Sequence, residues 1–213
     1  MFTGLIQETG QVKSLRKVSG EFRITINAAE TPANLKQGDS VAVSGVCLTA
    51  VGLGRHWFSA DLAKETMQRT SLGNLEKGSR VNLELPVCPQ DRLGGHVVQG
   101  HVDGVAKLTA LEKIKGRQDW RLVVELPRDL VRYVVPQGSI TVEGISLTVA
   151  GISATQLEIA IIPHTYQATN LPALKPGSPV NIEVDVLAKY AQKLFRQKQE
   201  SRLTVEALVK RGF

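Results

Sequence analysis

The feature that most constrains this 213-residue chain is an internal repeat. Residues 43–49, VSGVCLT, lie 99 positions before residues 142–148, VEGISLT, and four of the seven residues are identical. At the same offset, ten of nineteen residues agree between 66–84 and 165–183. The two beginnings match at an offset of 96, where residues 3–6 align with residues 99–102. Because a duplication gives both halves one architecture, we predict two similar domains, residues 1–92 and 93–185.

Each half contains short segments of the kind that form half-buried strands. Residues 81–85 and 180–184 alternate apolar and polar side chains, which is the period of a β-strand. A short helical turn is predicted at 63–69. About six strands in each half predict a mainly β chain of two tandem six-stranded antiparallel Greek-key barrels, because closure leaves no free edge. Four turns precede strands: Gly38-Asp39, Gly78-Ser79, Gly138-Ser139 and Gly177-Ser178.

The pattern changes after Asp185. Five apolar side chains then recur at helix spacing: Leu187, Tyr190, Ala191, Leu194 and Phe195. This spacing predicts an amphipathic helix, and Thr204 can cap a second short helix that ends at Gly212. We assign residues 186–213 to a helical segment that joins subunits. The alternative is that its apolar stripe packs on its own barrel.

Charge and composition argue against several classes of partner. Residues 186–213 hold seven Lys and Arg against two Asp and Glu, whereas residues 1–185 hold 19 against 18. With only 5% aromatic residues, this tail charge argues against nucleic-acid binding. No apolar run approaches the roughly 18 residues of a membrane span, and the first residues lack a secretory pattern. We therefore expect a cytoplasmic protein without membrane contact, in which Cys47 and Cys88 are free thiols.

The histidine-containing segment 94–103, GGHVVQGHVD, invites a metal or phosphate site. His96 and His101 are five residues apart, so in a strand they would point to opposite faces and could not share a metal ion. The segment also lacks the Lys-Ser/Thr of a phosphate loop. His101 stands out because its repeat counterpart is the apolar Leu5. Other differences between the copies are Cys47 against Ser146, Ser44 against Glu143, and Asp61 against Ala160.

Five motifs in order resemble the riboflavin synthase family: MFTG at 1–4, GVCLT at 45–49, GGH to GHVD at 94–103, GISLT at 144–148, and EVD to AKY at 183–190. The resemblance implies a homotrimer joined by C-terminal helices. Its active site lies between the N-terminal barrel of one chain and the C-terminal barrel of its neighbour. Lumazine synthase is a further candidate partner.

The resemblance also implies the reaction, the last step of riboflavin biosynthesis. Each active site binds two molecules of 6,7-dimethyl-8-ribityllumazine and moves a four-carbon unit from one to the other. This transferase reaction gives riboflavin and 5-amino-6-ribitylamino-pyrimidinedione. It uses no metal and no organic cofactor.

The resemblance assigns substrate-binding positions to both barrels. In the first barrel they are Gly4, Leu5, Ile6, Cys47, Leu48, Thr49, Asp61, Leu62, Ala63, Lys64, Glu65, Thr66, Gly100, His101 and Val102. In the second barrel they are Ser146, Leu147, Thr148, Ala160, Ile161, Ile162, Pro163, His164 and Thr165. Gln137 stands where some members of the family have lysine, and there we expect an altered contact to the ribityl chain.

The reaction needs a base and a nucleophile. The lumazine 7-methyl group is acidic because its carbanion delocalises into the ring, so a base of near-neutral pKa suffices, and His101 is the first candidate. Ring carbon 7 of the second lumazine is attacked by a hydroxyl, a thiol or water. Asp185 would hold the attacking group, and the resemblance implies that Phe2 covers the ligand. The candidates for nucleophile or orienting donor are Ser40, Cys47, Ser146 and Thr148.

Each of these residues also has a purely structural interpretation. Cys47 can be a small buried hydrophobe, Asp185 can cap the helix that follows it, and Phe2 can fray as a terminal residue. Ser146 and Thr148 can be hydroxyls of the barrel interior or hydroxyls beside the strand ladder.

The alternative function is a non-catalytic lumazine- or flavin-binding protein of the fluorescent type. Such proteins share the duplicated barrel but typically bind through one barrel, whereas here both halves keep their Gly and Thr sites. A flavin-carrying reductase is disfavoured, because no nucleotide-binding α/β domain fits in the remaining residues.

Overall fold

The computed structural model describes residues 1–18 and 20–200. Within these residues the chain forms two closed antiparallel barrels of six strands each, as the sequence predicts. The second helix predicted between Thr204 and Gly212 lies outside the described residues.

The two barrels have the same strand order. The first consists of β1 Glu8–Val18, β2 Glu21–Asn27, β3 Ser40–Val43, β4 Val46–Gly54, β5 Trp57–Leu62 and β6 Arg80–Glu84. Its order is β1-β2-β5-β4-β3-β6, with β6 pairing back to β1, which is a Greek-key arrangement. The second consists of β7 Gly104–Lys113, β8 Trp120–Glu125, β9 Ser139–Val142, β10 Ile145–Ser153, β11 Gln156–Ile161 and β12 Pro179–Val184.

Short helices connect the strands. Helix α1, Lys64–Arg69, fits the predicted helical turn, and α2, Pro163–Ala168, is its counterpart in the second repeat. Helix α3, Val186–Glu200, follows the last strand. None of the helices within the described ranges is long and apolar enough to cross a membrane. Four 3-10 turns complete the helical elements: Thr31–Asn34, Ser71–Asn74, Val131–Tyr133 and Leu171–Ala173.

The interior of each barrel is filled with apolar side chains. Ile24 and Phe58 are fully buried in the first core, and Leu122 and Ile159 are fully buried in the second. Burying each such side chain contributes about 1.5–3 kcal/mol. Because side chains alternate along a strand, the residues between the core positions point outward. The barrel interiors are therefore packed cores and not cavities.

One of the four predicted turns differs in detail. Gly38, Gly78 and Gly177 have positive φ values of 94°, 94° and 96°, but in the remaining turn the left-handed residue is Gln137, with φ 64°, not Gly138. The repeat explains the difference, because Gln137 is the counterpart of Gly38 at the 99-residue offset. A side chain thus occupies a backbone conformation that favours glycine.

Helix α3 is attached to the second barrel at its beginning. Asp185 Oδ1 accepts a hydrogen bond from Leu187 N at 2.9 Å, so Asp185 caps the helix. Lys189 Nζ lies 2.7 Å from Asp103 Oδ1. The apolar stripe does not pack on its own barrel, because Leu187, Tyr190, Leu194 and Phe195 are 64–68% exposed.

A buried polar network joins the two barrels. Asn82 Nδ2 donates to the carbonyl oxygen of Glu143, and its repeat counterpart Asn181 donates to that of Ser44, each at 2.8 Å. The Glu143 carboxylate accepts from Asn181 N at 2.7 Å and from Asn170 Nδ2 at 2.9 Å. Burial raises the pKa of Glu143, while these donors act in the opposite direction. The barrels therefore meet through specific hydrogen bonds.

Candidate functional site

Two segments cross between the barrels. These crossing segments are residues 2–6 and 98–102. The carbonyl oxygen of Gly4 accepts from Ser146 N at 2.8 Å, and that of Gly100 accepts from Cys47 N at 2.9 Å. Each segment therefore lies on the barrel formed by the other repeat.

The exchange corrects the expected grouping of the site residues. The resemblance groups Gly4, Leu5 and Ile6 with Cys47 in the first barrel, but Gly4 contacts Ser146 and Ile6 packs against the core of the second barrel. The counterpart of Ile6, Val102, packs against the first core. The sequence places each segment in a repeat but cannot show which barrel the segment reaches.

Glycine is required where the crossing segments meet the barrels. Gly4 and Gly100 both have φ +77°, in the left-handed region. A Cβ on Gly4 would lie 2.6 Å from Ser146 Cβ, and one on Gly100 would lie 2.6 Å from Cys47 Cβ. Both distances are below van der Waals contact, so a larger residue would push the segment away from the candidate side chain.

The first candidate half-site lies on the outer face of β3 and β4. Val46, Leu48 and Ala50 point into the core, so Cys47 and Thr49 point outward. Strand pairing places Ser40 beside Thr49. Cys47 is half-buried and free of any disulfide bond.

Phe2 is part of the same face. It is fully buried against Ala42, Val98 and Cys47 rather than frayed. The structure thus brings Phe2 together with Cys47.

The second candidate half-site contains a hydroxyl–imidazole pair. Ser146 Oγ lies 2.7 Å from His96 Nδ1, and Thr141 Oγ1 lies 3.2 Å from His96 Nε2. Ser146 and Thr148 lie on the outer face of β10, which excludes their interpretation as interior hydroxyls. Burial lowers the pKa of His96, and the charge of Asp185 acts in the opposite direction. Asp185 therefore caps α3 and also acts electrostatically on this imidazole.

The sequence favours His101 over His96 as the base. A strand would point the two histidines to opposite faces, but residues 93–103 form only one isolated bridge, between Phe2 and Val98. One sequence difference could have pointed to His96: Ala42 has the polar counterpart Thr141 in the second repeat. The hydroxyl of Thr141 hydrogen-bonds to the imidazole of His96. The side chain of His101 is exposed, and its backbone N donates to Glu183 Oε2 at 3.1 Å.

The predicted binding residues after β5 and β11 border the two half-sites. Ala50 pairs with Ala60, which makes Thr49 and Asp61 the next facing positions. Asp61 forms an ion pair with Arg23 at 2.6 Å, and the hydrogen bond from Arg23 lowers its pKa. Exposed or partly exposed residues continue each border: Ala63, Lys64, Glu65 and Thr66 on one side, and Ala160, Ile162, Pro163, His164 and Thr165 on the other.

Four predicted binding residues point away from these faces. Their side chains lie in the barrel cores with 9% exposure or less, so only their backbone atoms can meet a ligand: Leu48, Leu62, Leu147 and Ile161. Gln137 lies in the turn before β9, where its N–H donates to Val149 O at 2.9 Å. Within residues 1–18 and 20–200, no group of three or more His, Cys, Asp or Glu side chains is placed to hold a metal ion.

Comparison with known proteins agrees with this geometry. The chain matches the lumazine binding domain twice, over residues 3–86 and 99–185. A riboflavin synthase of Mycobacterium tuberculosis is 45% identical over 201 residues, covering 92% of this chain and 98% of that protein. A riboflavin synthase of Actinobacillus pleuropneumoniae is 40% identical over 218 residues, covering 100% of both.

Solved structures of similar fold contain ligands. LumP complexed with riboflavin superimposes with a TM-score of 0.80 at 26% identity, covering 86% of this chain and 99% of that one. LumP complexed with 6,7-dimethyl-8-(1'-D-ribityl) lumazine gives a TM-score of 0.77 at 25% identity, with the same coverage. The two domain matches and the full-length relatives show that the chain belongs to the riboflavin synthase family of duplicated lumazine-binding proteins.

Proposed function

We propose that this protein catalyses the riboflavin synthase reaction, in which two molecules of 6,7-dimethyl-8-ribityllumazine give riboflavin and 5-amino-6-ribitylamino-pyrimidinedione. The observation that carries the proposal is that both repeats keep an equivalent half-site, each completed by a crossing segment from the other repeat. Two equivalent half-sites suit a reaction whose two substrates are the same molecule. Similarity to riboflavin synthases over the full chain supports the same reaction.

The half-site residues suit the chemistry. Because burial lowers the pKa of His96, its imidazole is neutral near pH 7. The Nε2–H group of His96 donates to Thr141 Oγ1, which leaves Nδ1 free to accept a proton from Ser146 Oγ. As Nδ1 takes this proton, Ser146 Oγ adds to ring carbon 7 of one lumazine. Alternatively, a water molecule that Ser146 orients adds at the same carbon. On the other half-site, Cys47, Ser40 and Thr49 contact the second lumazine, and His101 takes a proton from its 7-methyl group.

Positioning accounts for much of the rate. Holding two planar ligands face to face removes translational and rotational freedom before the reaction, an effect that reaches about 7–11 kcal/mol in well-oriented systems. The two half-sites differ at Cys47 and Ser146, and this difference would make one lumazine the donor and the other the acceptor.

We also propose that the active protein is a homotrimer in the cytoplasm. The exposed apolar side chains of α3 support assembly, as do Leu5 and Ile162, which border the half-sites and are 50% and 56% exposed. The free thiols Cys47 and Cys88 fit a reducing compartment. Lumazine synthase remains a proposed partner, and 1–92, 93–185 and 186–213 remain the proposed domain boundaries.

A second candidate function is ligand binding without turnover, which the similarity to the LumP complexes favours. Purified protein incubated with 6,7-dimethyl-8-ribityllumazine alone distinguishes the two. We expect one riboflavin to form for every two lumazines consumed, measured by absorbance, without added metal or nucleotide. Tight binding with no riboflavin would assign the protein to the binders.

Two variants test the half-site and the assembly. Cys47→Ser is expected to reduce kcat more than lumazine affinity, whereas Cys88→Ser, at an exposed position outside the half-sites, should leave both unchanged. Truncation after Asp185 should dissociate the oligomer and remove most activity, measured by light scattering and turnover. Truncation after Glu200 keeps α3 and serves as its control. An active monomer would disprove the shared site.

A further inference from the structure

Each crossing segment is bound by one buried carboxylate of its own barrel. Glu84, at the end of β6, is 3% exposed. Its Oε1 accepts from Thr3 N at 2.6 Å and from Thr3 Oγ1 at 2.7 Å, and its Oε2 accepts from Gly4 N at 3.0 Å. The first crossing segment is therefore fixed to the first barrel immediately before it contacts Ser146.

Glu183, the repeat counterpart of Glu84, does the same on β12. It is 2% exposed, and it accepts from the backbone N of Gln99, Gly100 and His101 at 2.8, 3.0 and 3.1 Å. The second crossing segment is thus fixed to the second barrel immediately before it contacts Cys47.

Packing alone does not explain these two buried carboxylates, because an apolar side chain of similar size would fill the same space without a desolvation penalty. Burying a carboxylate costs several kcal/mol unless hydrogen bonds compensate. Burial raises the pKa of both groups, and the backbone donors of the crossing segments oppose this shift. Because these N–H groups lie outside the barrel strands, the carboxylates satisfy donors that would otherwise be orphaned.

We propose that Glu84 and Glu183 are paired positioning residues, each of which fixes the half-site on the opposite barrel by holding the crossing segment that completes it. Glu183 holds Gly100 and His101 against Cys47, and Glu84 holds Thr3 and Gly4 against Ser146. The proposal rests on the half-sites of the proposed function, but its effect on Cys47 can be measured without any turnover.

The proposal makes a specific prediction across the barrels: removing the carboxylate at 183 must loosen the surroundings of Cys47, which lies on the other barrel. Glu183→Gln keeps the size of the side chain but turns an NH₂ group toward N–H donors. Glu84→Gln makes the same change in the other repeat, but Glu84 pairs with Ala42 and Ala42 with Cys47, so this variant is tested by kinetics and not by labelling. Glu143→Gln alters a third buried carboxylate between the barrels that holds no crossing segment.

The experiment measures alkylation of the Cys47 thiol by iodoacetamide in a Cys88→Ser background. We expect Glu183→Gln to raise the rate about fivefold, the size of effect that a modest local loss of stability produces. Glu143→Gln should react at the parent rate. An unchanged rate in Glu183→Gln, or a comparable increase in Glu143→Gln, overturns the proposal.

Glu183→Asp is a milder variant, which allows the same labelling test if Glu183→Gln does not fold. Glu183→Asp retains both acceptor oxygens but is one methylene shorter, so its alkylation rate should lie between the parent and the amide variant. Amide exchange of Gln99 to His101 should accelerate in Glu183→Asp while β12 stays protected. Uniform acceleration over both barrels would mean a general loss of stability and would refute positioning.

Kinetics separate this proposal from the proposed function. Glu183→Gln and Glu84→Gln should each lower kcat at least tenfold, the effect expected of misplaced reacting groups. If the labelling pattern holds and no riboflavin forms in the parent, the anchoring role stands and the reaction is wrong. If riboflavin forms and labelling does not distinguish the variants, the reaction stands and the positioning role is wrong.

Discussion

Phe2 and Val98 hydrogen-bond to each other, with Phe2 N 2.7 Å from Val98 O and Val98 N 3.1 Å from Phe2 O. They occupy equivalent positions in the two repeats, 96 residues apart. Residues that pair with their own counterparts lie on a local two-fold axis. Gly45 and Gly144 also meet there, since a Cβ on Gly45 would be 2.7 Å from Gly144 N. The first crossing segment therefore contacts the second barrel in the same way as the second crossing segment contacts the first barrel.

One departure from this symmetry lies at the half-sites. Cys47 is paired with Ala42 across the β3–β4 ladder, whereas Ser146 is paired with Thr141 across β9–β10. Only the second arrangement offers hydroxyls to both ring nitrogens of His96. A duplicated scaffold thus supplies two similar ligand surfaces, and a few polar substitutions make their chemistry different.

Removing the imidazole at 96 is expected to impair turnover without preventing binding. His96→Asn should lower kcat about a hundredfold, since a positioned base typically contributes 10² to 10⁴. Lumazine affinity, measured by fluorescence titration, should change little. His56→Asn replaces an exposed histidine of the first barrel and is the control.

The same imidazole predicts the acid limit of activity. Because the pKa of His96 lies below its ordinary value of 6.5, the neutral base persists below that pH. The acid limb of the kcat profile should therefore contain a component below pH 6.5 in the parent that is lost in His96→Asn. An identical acid limb in both proteins would exclude His96 as the base.

The barrels could be predicted because their signals are local and doubled. Strand alternation and turn glycines recur at a fixed offset, so each half supports the interpretation of the other. The exchange of crossing segments was missed because residues 2–6 and 98–102 follow no strand or helix period. Their positions depend on Glu84 and Glu183, two carboxylates at strand ends that look solvent-exposed in the sequence but are buried.

The site was predicted in part for the same reason. Cys47, Ser146 and Thr148 share outer faces because alternation along β4 and β10 dictates it. His96 lies in irregular backbone, and its contact with Ser146 spans 50 residues of sequence. The strand and helix periodicities of the sequence cannot predict such a contact.

The close approach of Gly100 to Cys47 predicts a steric effect that backbone strain alone does not explain. Gly100→Ala should destabilise the protein more than Gly116→Ala by about 1–3 kcal/mol, the range for overpacking. Both glycines have φ +77°, but a Cβ on Gly116 meets nothing within 4 Å. Chemical denaturation measures the difference, and equal losses would contradict the close contact. Activity should fall only in Gly100→Ala.

The strained turn at Gln137 predicts a stabilising substitution. Gln137→Gly should raise the free energy of unfolding by up to about 1 kcal/mol. The substitution removes the strain of a side chain in the left-handed region, and this gain exceeds the larger backbone entropy that glycine loses on folding. The reverse change in the other repeat, Gly38→Gln, should destabilise, since Gly38 has φ +94° with open space around it. Thermal unfolding of the pair tests this. A loss of stability in Gln137→Gly would mean that the side chain makes compensating contacts.

The fully buried Glu143 predicts how stability depends on pH. Burial raises its pKa in the folded protein above the ordinary value of 4.5, so the folded state binds its proton more tightly than the unfolded state does. That contribution is present at low pH and is lost as the pH rises from 4.5 through the folded pKa. Glu143→Gln cannot lose a proton. Its unfolding free energy relative to the parent should therefore increase with pH above 4.5, whatever constant difference the lost hydrogen bonds produce.

Denaturant titrations at several pH values measure this difference. Glu158→Gln is the control, because Glu158 is half-exposed and its ion pair with Arg121 lowers the pKa of its carboxylate. This variant should show the opposite slope at acid pH. A difference between Glu143→Gln and the parent that stays constant with pH would mean that Glu143 titrates alike in the folded and unfolded chains.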